Sequence, residues 1–537
     1  MDVTSLLEIR PAPRAVFDRL PTHRHRTRFH VKASVPRDSG RDPETTWRPV
    51  TWGQFAQQIR GFARQIVEWG VEPGDRVAIF ASNSVAWGAA ALGIQTAGAV
   101  FVPIYPASTA DQVEYILRHA EIKHVLVSGK ELTARLETLK SKLEIEVYDL
   151  DDPIFTSAAE RDANAPTLVD ARLGALELDA PAQMLYTSGT SGNPKGVPLT
   201  HRNVGSNGAD WLRCNAPLVE EGQRDLLWLP MSHIFGWGEL CAGNLLGWET
   251  YLASPADVFD VLPQVAPHVF FSVPAYWEKL ARAMYAGADS PAARKEALER
   301  ATGGRLQFCL SGGAGLKVEI KEQLHAAGVL VIEGYGLTET SPTLTLNRAD
   351  AFRFDTVGKV LPSVELRLAE DGEIECRGPN VFTGYYKDPG ATAGAFTEDG
   401  WFKTGDVGRW TPDGFLQIID RKKDILVSSG GKNIPPANIE AKFADDPVIE
   451  RVVVYGDGRP FLVAALWVRA EVAADRDAIA ARVETINREL ARHETIKRFF
   501  ISQDPLTVEG GMLTSSLKLR RKAVYEALRD RFEALYS

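Results

Sequence analysis

A long charge-free segment, residues 77–110, constrains the fold of this chain more than any other part of its sequence. The segment is long enough to cross a bilayer as one helix. It is nevertheless interrupted by Ser82, Asn83 and Gln95, and Pro103 and Pro106 close it. These interruptions favour a strand, a helix and a second strand of a buried parallel sheet over a membrane span.

Short apolar runs alternate with helical patterns through much of the chain. Residues 76–80, 124–127 and 269–273 have the composition of strands, and residues 55–69 and 112–119 have the periodicity of helices. This alternation predicts an α/β fold, with mixed or parallel sheets flanked by helices. A chain of 537 residues is too long for one hydrophobic core, so we expect two or more domains.

Three other regions carry less specific patterns. Beyond about residue 420, short strands and basic helices predict a small α+β C-terminal domain. Residues 151–180 are rich in Asp and Ala, and we interpret them as a connection. Arg24, Arg26 and Arg28 alternate, which indicates either an anionic partner or, more simply, a strand with one solvated face. We assign these arginines no function.

The charge and the cysteine content narrow the classes of function. A formal net charge of −9 gives no global attraction to nucleic acid or to anionic lipid. The four cysteines are far apart and lie near no histidine cluster, which argues against a zinc site and favours free thiols in a reducing compartment. The first residues carry an acid and no apolar core, unlike a signal peptide. We therefore expect a cytoplasmic protein that does not bind nucleic acid.

The strongest chemical signal is a loop at residues 186–196, which reads Tyr-Thr-Ser-Gly-Thr-Ser-Gly-Asn-Pro-Lys-Gly. Glycines let backbone N–H groups converge on an anion, hydroxyls add donors, and Lys195 adds a positive charge, so the loop predicts a polyphosphate site. Residues 182–186 read as a strand entering the loop, and Thr200 as the cap of a later helix. The order around Lys195 differs from a Walker loop, which disfavours ordinary P-loop hydrolysis. By composition alone, a flexible surface turn is the alternative.

The order of residues in this loop resembles the signature of the adenylate-forming superfamily, which includes acyl-CoA synthetases, peptide-synthetase adenylation domains and firefly-type luciferases. Further motifs follow in the family's order: Tyr335-Gly336-Leu337-Thr338-Glu339-Thr340, Gly405-Asp406, Asp420-Arg421-Lys422-Lys423-Asp424 and Leu513-Thr514-Ser515-Ser516-Leu517-Lys518. The resemblance covers nearly the whole chain. It implies a large N-terminal domain, residues 1–420, that binds ATP and the acyl substrate, and a small mobile C-terminal domain, residues 421–537.

The resemblance also implies a two-step reaction. A carboxylate attacks the ATP α-phosphate to give an acyl-adenylate and pyrophosphate, and a thiol then displaces AMP. Lys518 matches the lysine that bridges the carboxylate and the α-phosphate in the first step; without its motif it would be one of several solvated basic residues. The implied catalytic residues are Lys518, His233, Thr187 and Lys195.

The resemblance assigns a nucleotide site as well. Tyr335 is implied to stack on adenine and Asp406 to accept both ribose hydroxyls. Glu339 and Thr187 are implied to hold Mg²⁺, a hard cation that prefers oxygen ligands. Outside the motif, Tyr335 would be plain core and Glu339 a solvated acid. The full set of implied ATP- or AMP-binding residues is Thr187, Ser188, Gly189, Thr190, Ser191, Gly192, Lys195, Gly312, Gly313, Ala314, Glu333, Gly334, Tyr335, Gly336, Thr338, Asp406, Arg421 and Lys518.

Two further groups follow from the same resemblance. An acyl pocket is expected at His233, Phe235, Trp237, Phe271, Pro274 and Gly336. Lys423 is expected to be the pivot about which the small domain rotates after adenylation, and Gly430, Gly431 and Lys432 are expected on the CoA side. Alone, a histidine and a tryptophan would usually be core, and Lys422-Lys423 a solvated pair.

Residues 102–108 and 420–440 are most similar to long-chain fatty acyl-CoA synthetases. This implies a fatty acid–CoA ligase that uses ATP, Mg²⁺ and CoA on a medium- to long-chain acid. Three alternatives stay open: an acyl-AMP ligase that loads an acyl carrier protein, a non-catalytic acyl or nucleotide sensor, and a luciferase-like oxidation. Aromatic acids, and peripheral membrane contact through the acyl substrate, stay open too.

Overall fold

The structure is a computed structural model. It describes residues 3–33, 46–187, 193–216, 218–444, 446–469, 475–507, 510–514 and 518–537. Their strands form five sheets. In sheet order, the nine-stranded sheet contains β15 (Lys359–Val360), β14 (Thr343–Leu346), β13 (Val331–Gly336), β12 (Phe308–Ser311), β11 (Val269–Ser272), β9 (Arg224–Leu227), β10 (Glu249–Leu252), β1 (Thr27–Ala33) and β2 (Thr46–Thr51). The six-stranded sheet contains β6 (Glu146–Asp149), β5 (His124–Val127), β3 (Arg76–Phe80), β4 (Val100–Ile104), β7 (Pro181–Thr187) and β8 (Lys195–Thr200).

The three smaller sheets follow later in the chain. They contain β16 (Glu365–Leu368), β17 (Glu373–Arg377), β18 (Phe402–Trp410) and β19 (Leu416–Arg421); β20 (Leu426–Val427) and β21 (Asn433–Ile434); and β22 (Ile449–Tyr455), β23 (Leu462–Val468) and β24 (Ile496–Ile501).

Helices cover the sheets. Those that precede β11 are α1 (Ala12–Phe17), α2 (Leu20–His23), α3 (Trp52–Glu68), α4 (Val85–Thr96), α5 (Ala110–His119), α6 (Lys130–Leu143), α7 (Pro153–Asn164), α8 (Thr167–Gly174), α9 (His201–Asn215), α10 (Ile234–Leu246) and α11 (Val258–Val265). Those that follow it are α12 (Pro274–Tyr285), α13 (Pro291–Thr302), α14 (Val318–Ala326), α15 (Pro389–Ala395), α16 (Pro436–Ala441), α17 (Arg476–Asn487), α18 (Arg521–Ala527) and α19 (Arg529–Ala534).

The charge-free segment forms the predicted strand, helix and strand. β3 and β4 pair in parallel, with Val77 opposite Phe101, and α4 between them is buried along its whole length. Close packing needs small residues here, because a Cβ on Gly93 of α4 would lie 2.5 Å from the Cβ of Phe62 in α3. No described helix has the length and apolar character needed to cross a membrane.

Two interpretations of the sequence are wrong. Residues 151–180 are more than a connection, because they contain α7 and α8, which pack on α3. The three arginines do not share a solvated strand face. Arg24 follows α2, and Arg28 in β1 is fully buried. Its guanidinium donates to Asn244 Oδ1 at 2.8 Å and to the Trp248 carbonyl at 3.2 Å.

The chain has a large N-terminal domain of mixed sheets and helices and a smaller α+β C-terminal domain, as predicted for the fold class. The buried hydrophobic clusters of the small domain begin at Leu426 and extend to Phe532, and β22, β23 and β24 supply much of them. The division at residue 420 stays a prediction. β19 ends at Arg421, so the sites predicted on either side of this residue lie close to the last strand of the large domain.

Candidate active site

The predicted phosphate loop joins β7 and β8, which pair in antiparallel fashion at one edge of the six-stranded sheet. Thr187 at the end of β7 faces Lys195 at the start of β8, so the loop leaves and re-enters the sheet at one point. The entering strand is confirmed, and so is the cap: Thr200 and Asn203 form a reciprocal capping box at the start of α9. The other predicted loop members lie outside the described residues: Ser188, Gly189, Thr190, Ser191 and Gly192.

Lys195 and Glu339 meet at the side chain of Tyr385. The Lys195 Nζ lies 4.6 Å from the centre of the Tyr385 ring. The Tyr385 hydroxyl donates a hydrogen bond to Glu339 Oε1 at 3.0 Å. Glu339 is buried within a 3₁₀ turn, Thr338–Thr340, that follows β13. A cation, an aromatic ring and a carboxylate therefore stand together beside the loop.

The surroundings of Glu339 fit a magnesium ion that arrives with a polyphosphate. Burial raises the pKa of Glu339, and the Tyr385 hydroxyl, Arg421 and Lys195 partly oppose that rise. Mg²⁺ commonly takes one or two carboxylates and completes its shell with phosphate oxygens and water. Among the described residues, no group of three or more His, Cys, Asp or Glu side chains could hold a metal alone. One buried carboxylate beside a phosphate loop matches that mode of binding.

Asp406 is held by two donors. The Tyr335 hydroxyl donates to Asp406 Oδ2 at 2.7 Å, and Arg421 Nε lies 3.1 Å from Asp406 Oδ1. Asp406 and Arg421 are opposite each other in the register of β18 and β19, so the sheet itself fixes their pairing. Asp406 is buried, whereas the Arg421 side chain is 48% exposed. The structure thus brings together three residues that the sequence places far apart.

The carboxylate of Glu333 is held inside the core. It pairs with the buried ammonium of Lys321 and accepts the Leu316 N–H at 2.8 Å. Burial raises the pKa of Glu333, and Lys321 opposes that rise. The expected contribution of Glu333 to nucleotide binding stays a prediction.

The glycines of β13 serve strand packing. A Cβ on Gly334 would lie 2.9 Å from Leu346 Cδ1, and one on Gly336 would collide with the Pro342 carbonyl oxygen. β13 therefore approaches β14 more closely than any other residue type would allow. Thr338 begins the turn that carries Glu339.

The segment after β12 connects the nucleotide side to an aromatic residue. The Gly312 N–H donates to the Ser272 carbonyl at 3.2 Å, and a Cβ on Gly312 would lie 3.1 Å from the Phe235 ring. Gly313 has a φ of +82°, and it and Ala314 are exposed. Phe235 thus packs directly beneath this loop.

His233 caps α10, and its Nδ1 accepts the Phe235 N–H at 3.2 Å. Burial, followed by the positive charge of Lys518, lowers the pKa of His233 to about 4. The ring is therefore neutral at physiological pH. Because Nδ1 accepts a hydrogen bond, the proton of the neutral ring lies on Nε2.

Lys518 acts electrostatically on the same cluster. Loss of surrounding water, and then the charge of Arg421, lowers the pKa of Lys518, and Asp406 partly opposes this. The residue remains exposed to solvent. We attribute the shift to an open cleft rather than to a sealed core. The charge of Lys518 in the small domain therefore acts on His233 of the large domain, and the charge of Asp406 acts on Lys518.

The predicted pivot borders this cluster: loss of surrounding water, then the charge of Arg421 and more weakly that of Lys195, lowers the pKa of Lys423, and Asp424 and Asp406 partly oppose this. Lys423 is exposed, and Lys422 before it pairs with Asp371 and Glu373, each at 2.6 Å. The exposed turn between β20 and β21 contains Gly430, Gly431 and Lys432. The Gly431 N–H donates to the Ser428 carbonyl at 2.8 Å, and a φ of +74° suits a glycine there.

Next to the cluster is a largely apolar cavity of about 140 Å³. Of the six residues expected in an acyl pocket, Phe235, Trp237 and Phe271 line this cavity. The other three are not in its wall: His233 caps α10, Pro274 begins α12, and Gly336 packs on Pro342. The acyl pocket stays a prediction, and α9 and α10 supply much of the wall of this cavity.

Sequence reasoning missed Tyr385 and the N-terminal residues that line the cavity, among them Leu6 and Ile9. Tyr385 lies in a Gly-Tyr-Tyr run, the only local signal, and nothing in one sequence links that run to Lys195. The N-terminal residues carry no motif. Their role depends on tertiary packing, which local patterns do not encode.

Comparison with known proteins agrees with this geometry. The chain matches the family described as AMP-binding enzyme over residues 25–386 and the one described as AMP-binding enzyme C-terminal domain over residues 423–537. It is 33% identical to the Mycobacterium bovis protein named long-chain-fatty-acid–CoA ligase FadD15, over 91% of this chain and 93% of that protein. It is 28% identical to human long-chain-fatty-acid–CoA ligase 6, over 86% and 78%.

The fold has solved counterparts. The structure of ATP-bound MatB from Rhodopseudomonas palustris is similar, with a TM-score of 0.78 and 25% identity, over 97% of this chain and 99% of that one. The loop, the separated motifs and the Asp406–Arg421 pair thus occur in a chain whose sequence and fold match one known group throughout. The chain belongs to the AMP-binding enzyme family, the adenylate-forming superfamily.

Proposed function

We propose that this protein is an AMP-forming fatty acid–CoA ligase. The observation that carries the proposal is the position of Phe235, which touches Gly312 on the nucleotide side and lines the apolar cavity on the other. A carboxylate at Gly312 would therefore have an apolar space for its chain behind it. The names of the relatives support the same acid class.

In the proposed first step, the chain's own residues orient two anions. Lys195 binds the terminal phosphates beside Tyr385, and Asp406 accepts the ribose hydroxyls. Lys518 neutralises the charge that builds between the carboxylate and the α-phosphate, the kind of electrostatic stabilisation that is usually the largest catalytic term. Glu339 and Thr187 hold Mg²⁺, which screens phosphate charge when bound.

The neutral His233 borders the acyl end of the same site. A cationic imidazole would compete with Lys518 for the carboxylate, and its low pKa prevents this. Its Nε2–H is a neutral donor. We assign His233 to positioning the acid and give it no proton-transfer step.

For the second step we propose that the small domain, residues 421–537, rotates about Lys423. This motion withdraws Lys518 and brings the turn of residues 430–432 toward the thiol of CoA. Gating of this kind separates two reactions at one site. Loading of a carrier protein is the second candidate, because it needs the same first step.

The test is a two-part assay with ATP, Mg²⁺ and a panel of acids from acetate to stearate, together with benzoates. We expect acid-dependent pyrophosphate release followed by acyl-CoA with fatty acids. Asp406→Asn is the matched inactive control, because it keeps the side-chain size and removes the charge that Tyr335 and Arg421 satisfy. Release of pyrophosphate without formation of a CoA thioester would favour the second candidate, loading of a carrier protein. Absence of pyrophosphate release with every acid would refute the proposed ligase.

A further inference from the structure

The far wall of the cavity is formed by the N-terminal segment, residues 3–19. Glu8 and Arg10 of this segment line the cavity, and so do its apolar residues Leu6, Ile9, Ala12 and Ala15. The apolar residues recur every third residue, and Ala12 and Ala15 lie on one face of α1. The whole segment precedes residues 25–386, the part of the chain that matches the AMP-binding enzyme family.

The segment is seated closely on α9. A Cβ on Gly205 would lie 2.7 Å from Cγ2 of Ile9, so the glycine leaves the space into which Ile9 packs. Pro13 and Val16 of α1 are buried. The wall is thus a packed part of the fold, and the side chains that face the cavity have defined positions.

Polar contacts hold both ends of the segment. The Arg19 Nε–H donates to the Leu245 carbonyl at 3.1 Å, and Arg19 Nη1 pairs with Glu221 at 2.7 Å. Arg10 donates to the Ser5 carbonyl at 2.9 Å and pairs with Asp18 at 3.1 Å. The Arg19–Leu245 contact fixes the segment against the end of α10, and the Arg10 contacts stabilise the segment internally.

Helix α10 extends from the nucleotide side to this wall, so its length gives the distance between them. Phe235, which touches Gly312, is in its first turn, and Leu245, which accepts from Arg19, is in its last. The ten residue steps from Phe235 to Leu245 extend over about 15 Å. A fully extended chain advances about 1.2 Å per bond, so roughly twelve bonds fit along this length.

We infer that the N-terminal segment is the floor of the acyl cavity and that Ile9, with Ala15, sets the longest acyl chain the enzyme accepts. The inference rests on the proposed function and adds the determinant of chain length to it. An alkyl chain longer than the cavity would have to displace Ile9 from Gly205 or break the Arg19 contact. Shorter chains would leave apolar wall uncovered and bind more weakly.

The test compares kcat/KM for pyrophosphate release with saturated acids from hexanoate to eicosanoate in three variants. Ile9→Trp and Ala15→Phe fill the floor, and Ile9→Ala deepens it. Ser5→Trp is the matched control, because Ser5 is exposed in the same segment and does not line the cavity. We expect the filled variants to lose about fourfold in kcat/KM for each methylene excluded, while octanoate is spared. Ile9→Ala should move the preferred chain to a longer acid.

An unchanged chain-length profile in folded, active variants would overturn the inference and leave the proposed function intact. If the bulky variants fail to fold, Ile9→Ala tests the inference alone. An unchanged preferred chain length in Ile9→Ala would also overturn the inference. An equal shift of the preferred chain length in Ser5→Trp and Ile9→Trp would show a general effect of added bulk. That result would contradict the assignment of the N-terminal segment as the floor of the cavity. A wild-type enzyme that adenylates no fatty acid would refute the proposed function and the inference together.

Discussion

Tyr385 couples the two opposite charges of the nucleotide cluster without neutralising either. Its ring faces the Lys195 ammonium, and its hydroxyl donates to Glu339. A direct Lys195–Glu339 ion pair would consume the charges that a phosphate and a magnesium ion need. The tyrosine therefore keeps both groups in place and available.

Tyr385→Phe should separate these two contacts. The variant keeps the ring beside Lys195 and loses the hydrogen bond to Glu339, and hydrogen bonds to charged groups contribute about 1.5–3 kcal/mol. We expect the Mg²⁺ concentration needed for half-maximal pyrophosphate release to rise about tenfold, with KM for the acid unchanged. The measurement is a Mg²⁺ titration at saturating acid. Tyr386→Phe is the control, and an equal effect there would contradict the assignment.

Lys518 should matter in only one half-reaction. Its charge contributes to lowering the pKa of His233, and in the proposed first step it neutralises the transferring oxygens, so Lys518→Ala should lower acid-dependent pyrophosphate release by about 10²–10³. CoA transfer from a supplied acyl-adenylate should be largely retained. Lys522→Ala, an exposed basic neighbour, should affect neither step. Equal loss of both half-reactions would exclude Lys518 as the adenylation lysine.

At the scale of elements, strand and helix periodicity predicted the frame well and the interior polar contacts poorly. The strand–helix–strand unit from β3 to β4 was predictable because a charge-free stretch interrupted by polar residues fits few other structures. Arg28 was not, since an alternating arginine usually faces water. Its partners Asn244 and Trp248 are more than two hundred positions away and carry no local signal.

The same limit applies to the site. Lys195, Glu339, Asp406 and Arg421 were predictable because each lies in a short motif. The pairing of the Glu333 carboxylate was not predictable, because its partner Lys321 is on a different element. Motifs identify which residues belong to a site, whereas burial and tertiary partners decide which atoms are free.

Arg28 gives a stability prediction for β1. It is fully buried, bonds to Thr250, and Thr250 in turn donates to Asp225 Oδ1 at 2.6 Å. Arg28→Met leaves the buried Asp225 without its cation, so we expect a loss of about 3–5 kcal/mol in the free energy of unfolding. Chemical denaturation measures it. Arg26→Met, two positions earlier and exposed, should change stability by less than about 0.5 kcal/mol.

At the scale of the whole molecule, the two domains meet where the chain passes from β19 into the small domain. Lys422 is bound to Asp371 and Glu373 of the large domain, and its N–H donates to the Gly405 carbonyl at 2.9 Å. The residue before the proposed pivot is therefore fixed, which supports the proposal that rotation begins at Lys423.

Lys423→Pro should impair the rotation. Proline fixes φ near −65° and removes one backbone freedom at the pivot. We expect thioester formation to fall by about tenfold or more while pyrophosphate release stays within about twofold of wild type. Lys423→Ala is the control, because it removes the side chain and leaves the backbone free. Normal thioester formation in Lys423→Pro would exclude Lys423 as the pivot.

The two donors on Asp406 have a consequence for the choice of nucleotide. Without a ligand the carboxylate is already satisfied by Tyr335 and Arg421, so ribose binding in the proposed role is an exchange of partners. A ribose would displace Tyr335 and Arg421 and donate two hydroxyl groups to Asp406 in their place. A 2′-deoxyribose would donate only one, so one buried oxygen of Asp406 would have no donor. The enzyme would then distinguish ATP from dATP at a carbon that takes no part in the chemistry.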